Sequence, residues 1–149
     1  MGSLTKFISN SPSETFDIGK KIAAKLYPGA VIALNGDLGS GKTYLTKGIA
    51  FGLGIKENIT SPTYTIVSEY NFTKYQFESM ILYHIDAYRL NDERDFEDIG
   101  GLDILSSAGI CIIEWSEKIK NLLPEDTITI NIEITGQETR IITIKEIYL

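Results

Sequence analysis

The chain has 149 residues, 43% of them hydrophobic, and a formal net charge of −6. This composition suits one globular domain over residues 1–149 with a sizeable core. An acidic chain disfavours tight, independent binding to nucleic acid, which requires a basic surface, but it can dock on a more basic partner protein. Residues 1–10 lack a signal-peptide core, and no apolar run reaches the roughly 20 residues that span a bilayer. The single cysteine fits a reducing compartment. We therefore expect a cytoplasmic protein.

The first element predicted along the chain is a helix that begins near Ser11. Ser11 can cap this helix, Pro12 suits its first position, and Glu14 completes a capping box. The apolar run 30–34 then predicts a buried strand. Residues 43–51 predict a second helix, which a pair of glycines ends.

Between this strand and the second helix lies a glycine-rich loop with the pattern G-x-x-x-x-G-K-[ST] of phosphate-binding loops. Its glycines can fold the chain into a concave nest of N–H donors, and the helix that follows directs its free N–H groups to the same place. Lys42 can reach the outer phosphates of a nucleotide, and Thr43 can offer its hydroxyl to Mg²⁺. A chance glycine-rich turn is the alternative, which the flanking strand and helix disfavour. The loop consists of Gly36, Asp37, Leu38, Gly39, Ser40, Gly41, Lys42 and Thr43.

A segment rich in hydroxyl groups follows at residues 60–67. Pro62 imposes an extended shape on its neighbour, and β-branched residues then predict a strand. Thr63 or Thr65 could sense the terminal phosphate or its metal, which would make the segment a switch. A plain turn that enters a strand explains the same residues equally well. Residues 71–78 are interpreted as a hairpin loop.

Two further apolar runs, residues 80–86 and 109–115, predict core strands that finish in a carboxylate. Asp86 ends the first strand, and Glu114 lies at the end of the second. Because the C-terminal ends of buried parallel strands share one edge of a sheet, either acid could serve a metal beside the phosphates. Asp86 could instead cap the turn after its strand. His84, which shares a strand face with Asp86, is expected to be a core or surface histidine.

The remaining segments predict short helices and a hairpin. Helical segments are expected at residues 91–98, 102–107 and 116–123. Residues 127–135 alternate apolar and polar side chains and lead through a turn into residues 140–147, which predicts an antiparallel hairpin. Cys111 and Trp115 are interpreted as packing residues. The predicted fold class is α/β: a P-loop NTPase-like three-layer sandwich with a mainly parallel central sheet and a C-terminal antiparallel hairpin.

Five short motifs, in a fixed order, resemble those of one protein family. They are Gly-Asp-Leu-Gly-Ser-Gly-Lys-Thr at 36–43, Ser-Pro-Thr-Tyr-Thr at 61–65, His-Ile-Asp-Ala-Tyr-Arg-Leu at 84–90, Ile-Glu-Trp at 113–115 and Leu-Pro at 123–124. In this set the chain resembles the TsaE family, the YjeE-type P-loop ATPases of bacterial tRNA threonylcarbamoyladenosine biosynthesis. Two departures, Ser40 where alanine is usual and Tyr44 where threonine is common, remove no phosphate or metal group.

The resemblance implies a small ATPase, dependent on ATP and Mg²⁺, that assists another enzyme. Its partners would be a tRNA threonylcarbamoyl transferase subunit and the companion subunit of that enzyme. Their assembly would modify the adenosine next to the anticodon, and ATP hydrolysis would support repeated turnover rather than the transfer itself.

The resemblance also implies a role for individual residues. The catalytic set would be Lys42, Asp86, Glu114, Thr63 and Thr65, and the metal ligands would be Thr43 and Glu114. The nucleotide would contact Pro12, Gly36, Asp37, Leu38, Gly39, Ser40, Gly41, Lys42, Thr43, Tyr44 and Gly136. Its adenine end would lie between residues 12–15 and the hairpin around Gly136.

Three other functions compete with this interpretation. A small-molecule kinase, of the nucleoside or shikimate type, would use a lid rich in arginine, whereas this chain has only Arg89, Arg94 and Arg140. A GTPase would carry the guanine-reading Asn-Lys-x-Asp pattern, which is absent. A binding module that holds nucleotide only as a structural ligand is the third alternative. The two strand-end acids favour a metal, and the scarcity of arginine predicts slow hydrolysis.

Overall fold

The computed structural model describes residues 4–59, 66–73 and 79–145, and its architecture is α/β. The strands in these ranges are β1 (Leu4–Ser9), β2 (Val31–Gly36), β3 (Val67–Phe72), β4 (Met80–Asp86), β5 (Ile110–Glu114), β6 (Ile128–Ile134) and β7 (Arg140–Lys145). The α-helices are α1 (Pro12–Ala23), α2 (Lys42–Gly52), α3 (Glu93–Asp98) and α4 (Gly101–Leu105), with 3₁₀ turns at Ala87–Arg89 and Ser116–Leu122. None of these helices is long and apolar enough to cross a membrane.

The strands form one mixed sheet in the order β1-β7-β6-β2-β5-β4-β3. Its four central strands, β6, β2, β5 and β4, run parallel, while the remaining pairs are antiparallel. The parallel centre and the C-terminal hairpin are therefore confirmed. The hairpin is an integral part of the sheet, because β6 pairs with β2 as well as with β7.

β1 was not predicted, and it covers the outer edge of β7. Most of its side chains are exposed or half-buried: Ser9 is the one buried residue of the strand, and Ile8 is 68% exposed. The strand exists because it pairs with β7, from Leu4 opposite Lys145 to Ser9 opposite Arg140. This partner lies at the far end of the chain, so the local sequence carries no signal of it.

Hydrophobic side chains cover both faces of the sheet. On one face α1 and α2 pack over Ile110 and Ile112, and on the other α3 and α4 pack over Cys111 and Ile113. β5 is therefore buried along its whole length, which explains its continuous apolar run. Burial raises the pKa of the Cys111 thiol to about 12, in agreement with its predicted packing role.

α1 and α2 approach each other through glycines. A Cβ at Gly19 would lie 2.5 Å from Leu45 O, and a Cβ at Gly48 would lie 2.0 Å from Phe16 O. The backbones of the two helices are thus in direct contact, which fixes α1 beside the loop that precedes α2. Ser11 caps α1 as predicted, because its Oγ accepts the N–H of Glu14 at 3.1 Å.

Two local predictions were partly wrong. Asn71 belongs to β3 and pairs with Ile81, so the strand extends into the segment interpreted as a loop; residues 74–78 lie outside the described ranges. The predicted helix at 116–123 is a 3₁₀ segment, Ser116–Leu122, with a non-helical kink at Ile119. Pro124 removes a backbone donor just beyond it and does not allow an α-helix to continue.

We predict that Gly48→Ala destabilises the fold by about 3 kcal/mol, because the new methyl group would meet the fixed backbone of α1. Gly54→Ala provides the comparison. Gly54 follows α2 with φ +87°, and a Cβ there would meet nothing within 4 Å, so only backbone strain of roughly 1 kcal/mol is expected. Urea unfolding of both variants would measure this difference. Equal losses of stability would show that the two helices can separate without cost.

Candidate functional site

The glycine-rich loop, residues 36–43, joins β2 to α2 and depends on its glycines for two different reasons. Gly39 and Gly41 adopt φ values of 79° and 104°, in the left-handed region that side chains disfavour. At position 36 a glycine is favoured because a larger residue would be too close to its neighbour: a Cβ on Gly36 would lie 2.5 Å from Ser40 Oγ. The loop closes on itself where the Ser40 N–H donates to Asp37 O at 3.0 Å.

α2 begins at Lys42, directly after the loop. Its N-cap is Gly41, and no side chain caps the helix. The positive end of the helix dipole therefore lies at the loop, and in a helix of this kind the N–H groups of the first turn have no partner within the helix. This is the backbone arrangement that the sequence pattern predicts for a phosphate site.

The two acids predicted at strand ends lie side by side. Asp86 and Glu114 are register partners in the parallel ladder of β4 and β5. The Glu114 carboxylate is 3.5 Å from Lys42 Nζ through Oε1 and 2.6 Å from His84 Nε2 through Oε2. Burial alone would raise the pKa of Glu114, but its contacts with His84 and Lys42 outweigh burial and leave this pKa below its usual value. Glu114 is therefore held as a carboxylate.

His84 is a site residue whose role the sequence did not disclose. It is 1% exposed, and its Nε2 bonds to Glu114. Its Nδ1 has no hydrogen-bond partner in the part of the chain that the structure describes. The prediction of a core histidine is correct about the burial of His84, but it did not include the contact with Glu114. The sequence hint of a role in the site was that His84 lies two residues before Asp86, which puts both side chains on one face of the strand.

Asp86 takes one of the two roles that the sequence left open, the cap of the following turn, and its position is compatible with the other. Its Oδ1 accepts the N–H of Tyr88 at 3.0 Å and so caps the 3₁₀ turn that follows β4. It also borders a cavity of about 300 Å³ beside the glycine-rich loop. The cavity is lined by residues 38–44, Asp86, Glu114 and Trp115.

The oxygen donors of this cavity fit a magnesium ion in type. Thr43 supplies a hydroxyl, and Asp86 and Glu114 supply carboxylates, all of them the hard oxygen ligands that Mg²⁺ prefers. Within the described ranges, no group of three or more His, Cys, Asp or Glu residues could hold a metal by itself. A metal bound here would need oxygen ligands beyond these three, and Mg²⁺ that accompanies phosphates usually takes several of its ligands from water and from the phosphates.

Trp115 does more than pack against the core. Its ring packs on the face of the sheet that α3 and α4 cover, and it also lies 4.9 Å from Lys42 Nζ, in a cation–π contact. Its backbone has φ 59°, which is uncommon for a residue with a bulky side chain. This conformation follows the last residue of β5 and brings the indole to the cavity wall.

A second cavity, of about 180 Å³, also borders the loop. Pro12, Tyr44 and the turn between β6 and β7 border it, through Gln137 and Glu138. Residues 12–15 and the hairpin turn, between which the adenine end is predicted to lie, thus border one cavity. Gly136 itself offers its carbonyl oxygen to Arg140 at 3.0 Å. Thr63 and Thr65, predicted as switch residues, lie outside the described ranges.

Comparison with known proteins agrees with the resemblance drawn from the motifs. The family model described as "Threonylcarbamoyl adenosine biosynthesis protein TsaE" matches residues 9–142. The chain belongs to the TsaE family. A relative from Treponema pallidum, named tRNA threonylcarbamoyladenosine biosynthesis protein TsaE, is 40% identical over 137 residues, which cover 92% of this chain and 97% of the relative. One from Haemophilus influenzae with the same name is 44% identical over 138 residues, which cover 89% of this chain and 84% of the relative.

A solved structure supports the same TsaE assignment. The crystal structure of YdiB from Bacillus subtilis superposes with a TM-score of 0.74 at 38% identity, and the match covers 97% of this chain and 86% of that one. Identity at this level over nearly the whole chain relates the two proteins in sequence as well as in fold.

The lowered pKa of Glu114 predicts a pH dependence of stability. A carboxylate whose pKa in the folded protein lies below its usual 4.5 stabilises the fold above that pH and loses this contribution as the pH falls. We expect the difference in unfolding free energy between wild type and Glu114→Gln to stay constant from pH 6 to about pH 5 and to shrink as the pH falls further to 3. Urea titrations at each pH would measure it, and a difference independent of pH would contradict the contacts described here.

Proposed function

We propose that this TsaE protein binds ATP with Mg²⁺, hydrolyses it slowly, and thereby assists the threonylcarbamoyl modification of tRNA. One observation carries the proposal: Lys42, Thr43 and two strand-end carboxylates line a single cavity against a loop of phosphate-binding pattern. The same arrangement supports assignment of the fold to the P-loop NTPase-like three-layer sandwiches. The single domain over residues 1–149 and the cytoplasmic location remain predictions.

The triphosphate would lie along the glycine-rich loop, with its charge facing the start of α2. Lys42 already has an anionic partner in Glu114, so a phosphate would compete with this carboxylate or share the ammonium group with it. The Trp115 ring keeps the ammonium group at the cavity, because the cation–π contact limits its movement away from the loop.

Thr43 and Glu114 would hold the magnesium ion, with Asp86 next to them in the ladder. The ion would neutralise charge on the phosphates when bound. His84 would fix the Glu114 carboxylate by its bond to Oε2, which leaves the lone pairs on the cavity side for a ligand. Asp86, turned partly to Tyr88 N–H, would act by orienting water.

The nucleoside would occupy the second cavity, between Pro12, Tyr44 and the turn after β6. This cavity shares residues 39–41 and Tyr44 with the first, so one ligand can extend from one cavity to the other along the loop. Thr63 and Thr65 stay in the proposal as switch residues on the strength of the family resemblance alone.

Relatives named for tRNA threonylcarbamoyladenosine biosynthesis support the process in which this ATPase would act. Its partners would be the transferase subunit and the companion subunit, and the net charge of −6 is compatible with docking on a more basic surface. The small-molecule kinase alternative is not favoured. Arg140 is engaged with backbone carbonyls, and the described part of the chain contains no arginine-rich lid.

We predict that Lys42→Ala weakens ATP binding about a hundredfold or more, since it removes the charge that the phosphates would contact. Modification of tRNA should be lost in an assay reconstituted with the transferase and companion subunits. Lys47→Ala is the control, because it removes the same charge five residues further along α2. It should leave both ATP binding and tRNA modification unchanged. Full modification by the Lys42 variant, with its fold intact by circular dichroism, would refute the proposed ATPase role.

We predict different effects on catalysis and binding for the two acids. Glu114→Gln should lower Mg²⁺-dependent turnover about a hundredfold and change the Kd for ADP by less than about threefold, because the carboxylate would act through the magnesium ion that neutralises the reacting phosphates. Asp86→Asn should lower turnover less, and its side chain can still cap the 3₁₀ turn. Calorimetry and phosphate release would measure these values. The reverse order of effects would assign the metal-side role to Asp86.

A further inference from the structure

We infer that Arg140 is a positioning residue that fixes the glycine-rich loop in its ligand-binding shape and ties it to the turn between β6 and β7. The inference rests on the proposed function, because it assumes that the loop binds phosphate. Arg140 touches neither of the carboxylates discussed above. Its role would be exerted through the backbone of the loop.

All three guanidinium nitrogens of Arg140 donate to backbone carbonyls. Nε donates to Ser40 O at 2.9 Å and Nη2 to Gly39 O at 3.1 Å, both in the loop. Nη1 donates to Gly136 O at 3.0 Å and to Thr139 O at 2.8 Å, both in the turn region. One rigid, planar group thus joins two segments about 100 residues apart in the chain.

These contacts determine the direction of the loop peptides. The C=O and N–H of a trans peptide point in opposite directions. When Ser40 O faces Arg140, the N–H of Gly41 must face away from it, towards the side where the nest would receive a phosphate. Because Gly41 has no side chain, its backbone has a wide choice of conformations, and the observed φ of 104° is one of them. An external contact is needed to select it.

Among the residues that the structure describes, no acid forms an ion pair with Arg140. Its hydrogen bonds go to neutral carbonyl groups, so the guanidinium keeps a full positive charge against the outer side of the loop. That charge adds to the attraction of the loop for an anion.

Arg140 also borders the second cavity, together with Gln137 and Glu138 of the turn. A nucleoside in this cavity would contact both segments that the guanidinium joins. Arg140 therefore sets the distance between the surface for the nucleoside and the surface for the phosphates. A change at Arg140 should impair recognition of the phosphates even though the side chain lies outside the proposed phosphate site.

The test compares Arg140→Lys, which keeps the charge but cannot span both segments, with Arg140→Ala. Lys145→Ala is the control, because it removes one positive charge at the opposite end of β7. Calorimetry with ADP and with inorganic tripolyphosphate would report affinity, and the ¹H–¹⁵N signal of Gly41 would report loop geometry without ligand. We expect both Arg140 variants to bind both ligands about tenfold more weakly and to shift the Gly41 signal, with the control unchanged.

Two outcomes would overturn the inference while leaving the proposed function intact. If Arg140→Lys bound both ligands like wild type, charge alone would account for the residue. If ADP binding fell while tripolyphosphate binding did not, Arg140 would serve the nucleoside and not the loop. If Arg140→Ala failed to fold, Arg140→Lys would decide the question alone. Failure of wild type to bind either ligand would instead refute the proposed function, and this inference with it.

Discussion

The ion pair between Lys42 and Glu114 is the contact on which the site depends. A carboxylate that is 8% exposed can remain ionised in a folded protein only if charged or hydrogen-bonding partners compensate for its lost hydration. Glu114 has two such partners, from α2 and from β4, while it lies at the end of β5 itself. One buried acid therefore joins three elements at the C-terminal edge of the sheet. It also keeps the lysine of the loop beside the carboxylate at the end of β5.

The loop is supported on its outer side by contacts of a different kind. The glycine contact between α1 and α2 holds the two helices at backbone distance, and this brings Thr15 and Pro12 to the loop. Arg140 then joins the loop to the turn after β6. A segment with three glycines would otherwise have many conformations of similar energy. Its shape is thus selected by neighbours on both sides, which is how a flexible sequence can form a preorganised site.

Much of the site was predictable because its signals are local. The spacing of Gly36, Gly41 and Lys42 indicates the loop, and an apolar run that ends in Asp86 or Glu114 indicates both the strand and the position of its acid. The cap of α1 by Ser11 follows from adjacent residues in the same way. The contacts of His84 and Arg140 were not predictable, since their partners lie 30 and 100 residues away. β1 was missed for the same reason: its sequence has little alternation, and its pairing depends on β7.

The pairing of β1 with β7 has a practical consequence for work with this protein. An uncovered strand edge of this length readily pairs with other chains and promotes aggregation. Ser9, the last residue of β1, lies opposite Arg140 in the ladder and hydrogen-bonds to Thr15 at 2.7 Å. A purification tag that frayed this strand would therefore disturb both solubility and the position of Arg140 beside the glycine-rich loop. An inactive preparation of such a fusion would report on the tag and not on the chemistry of the protein.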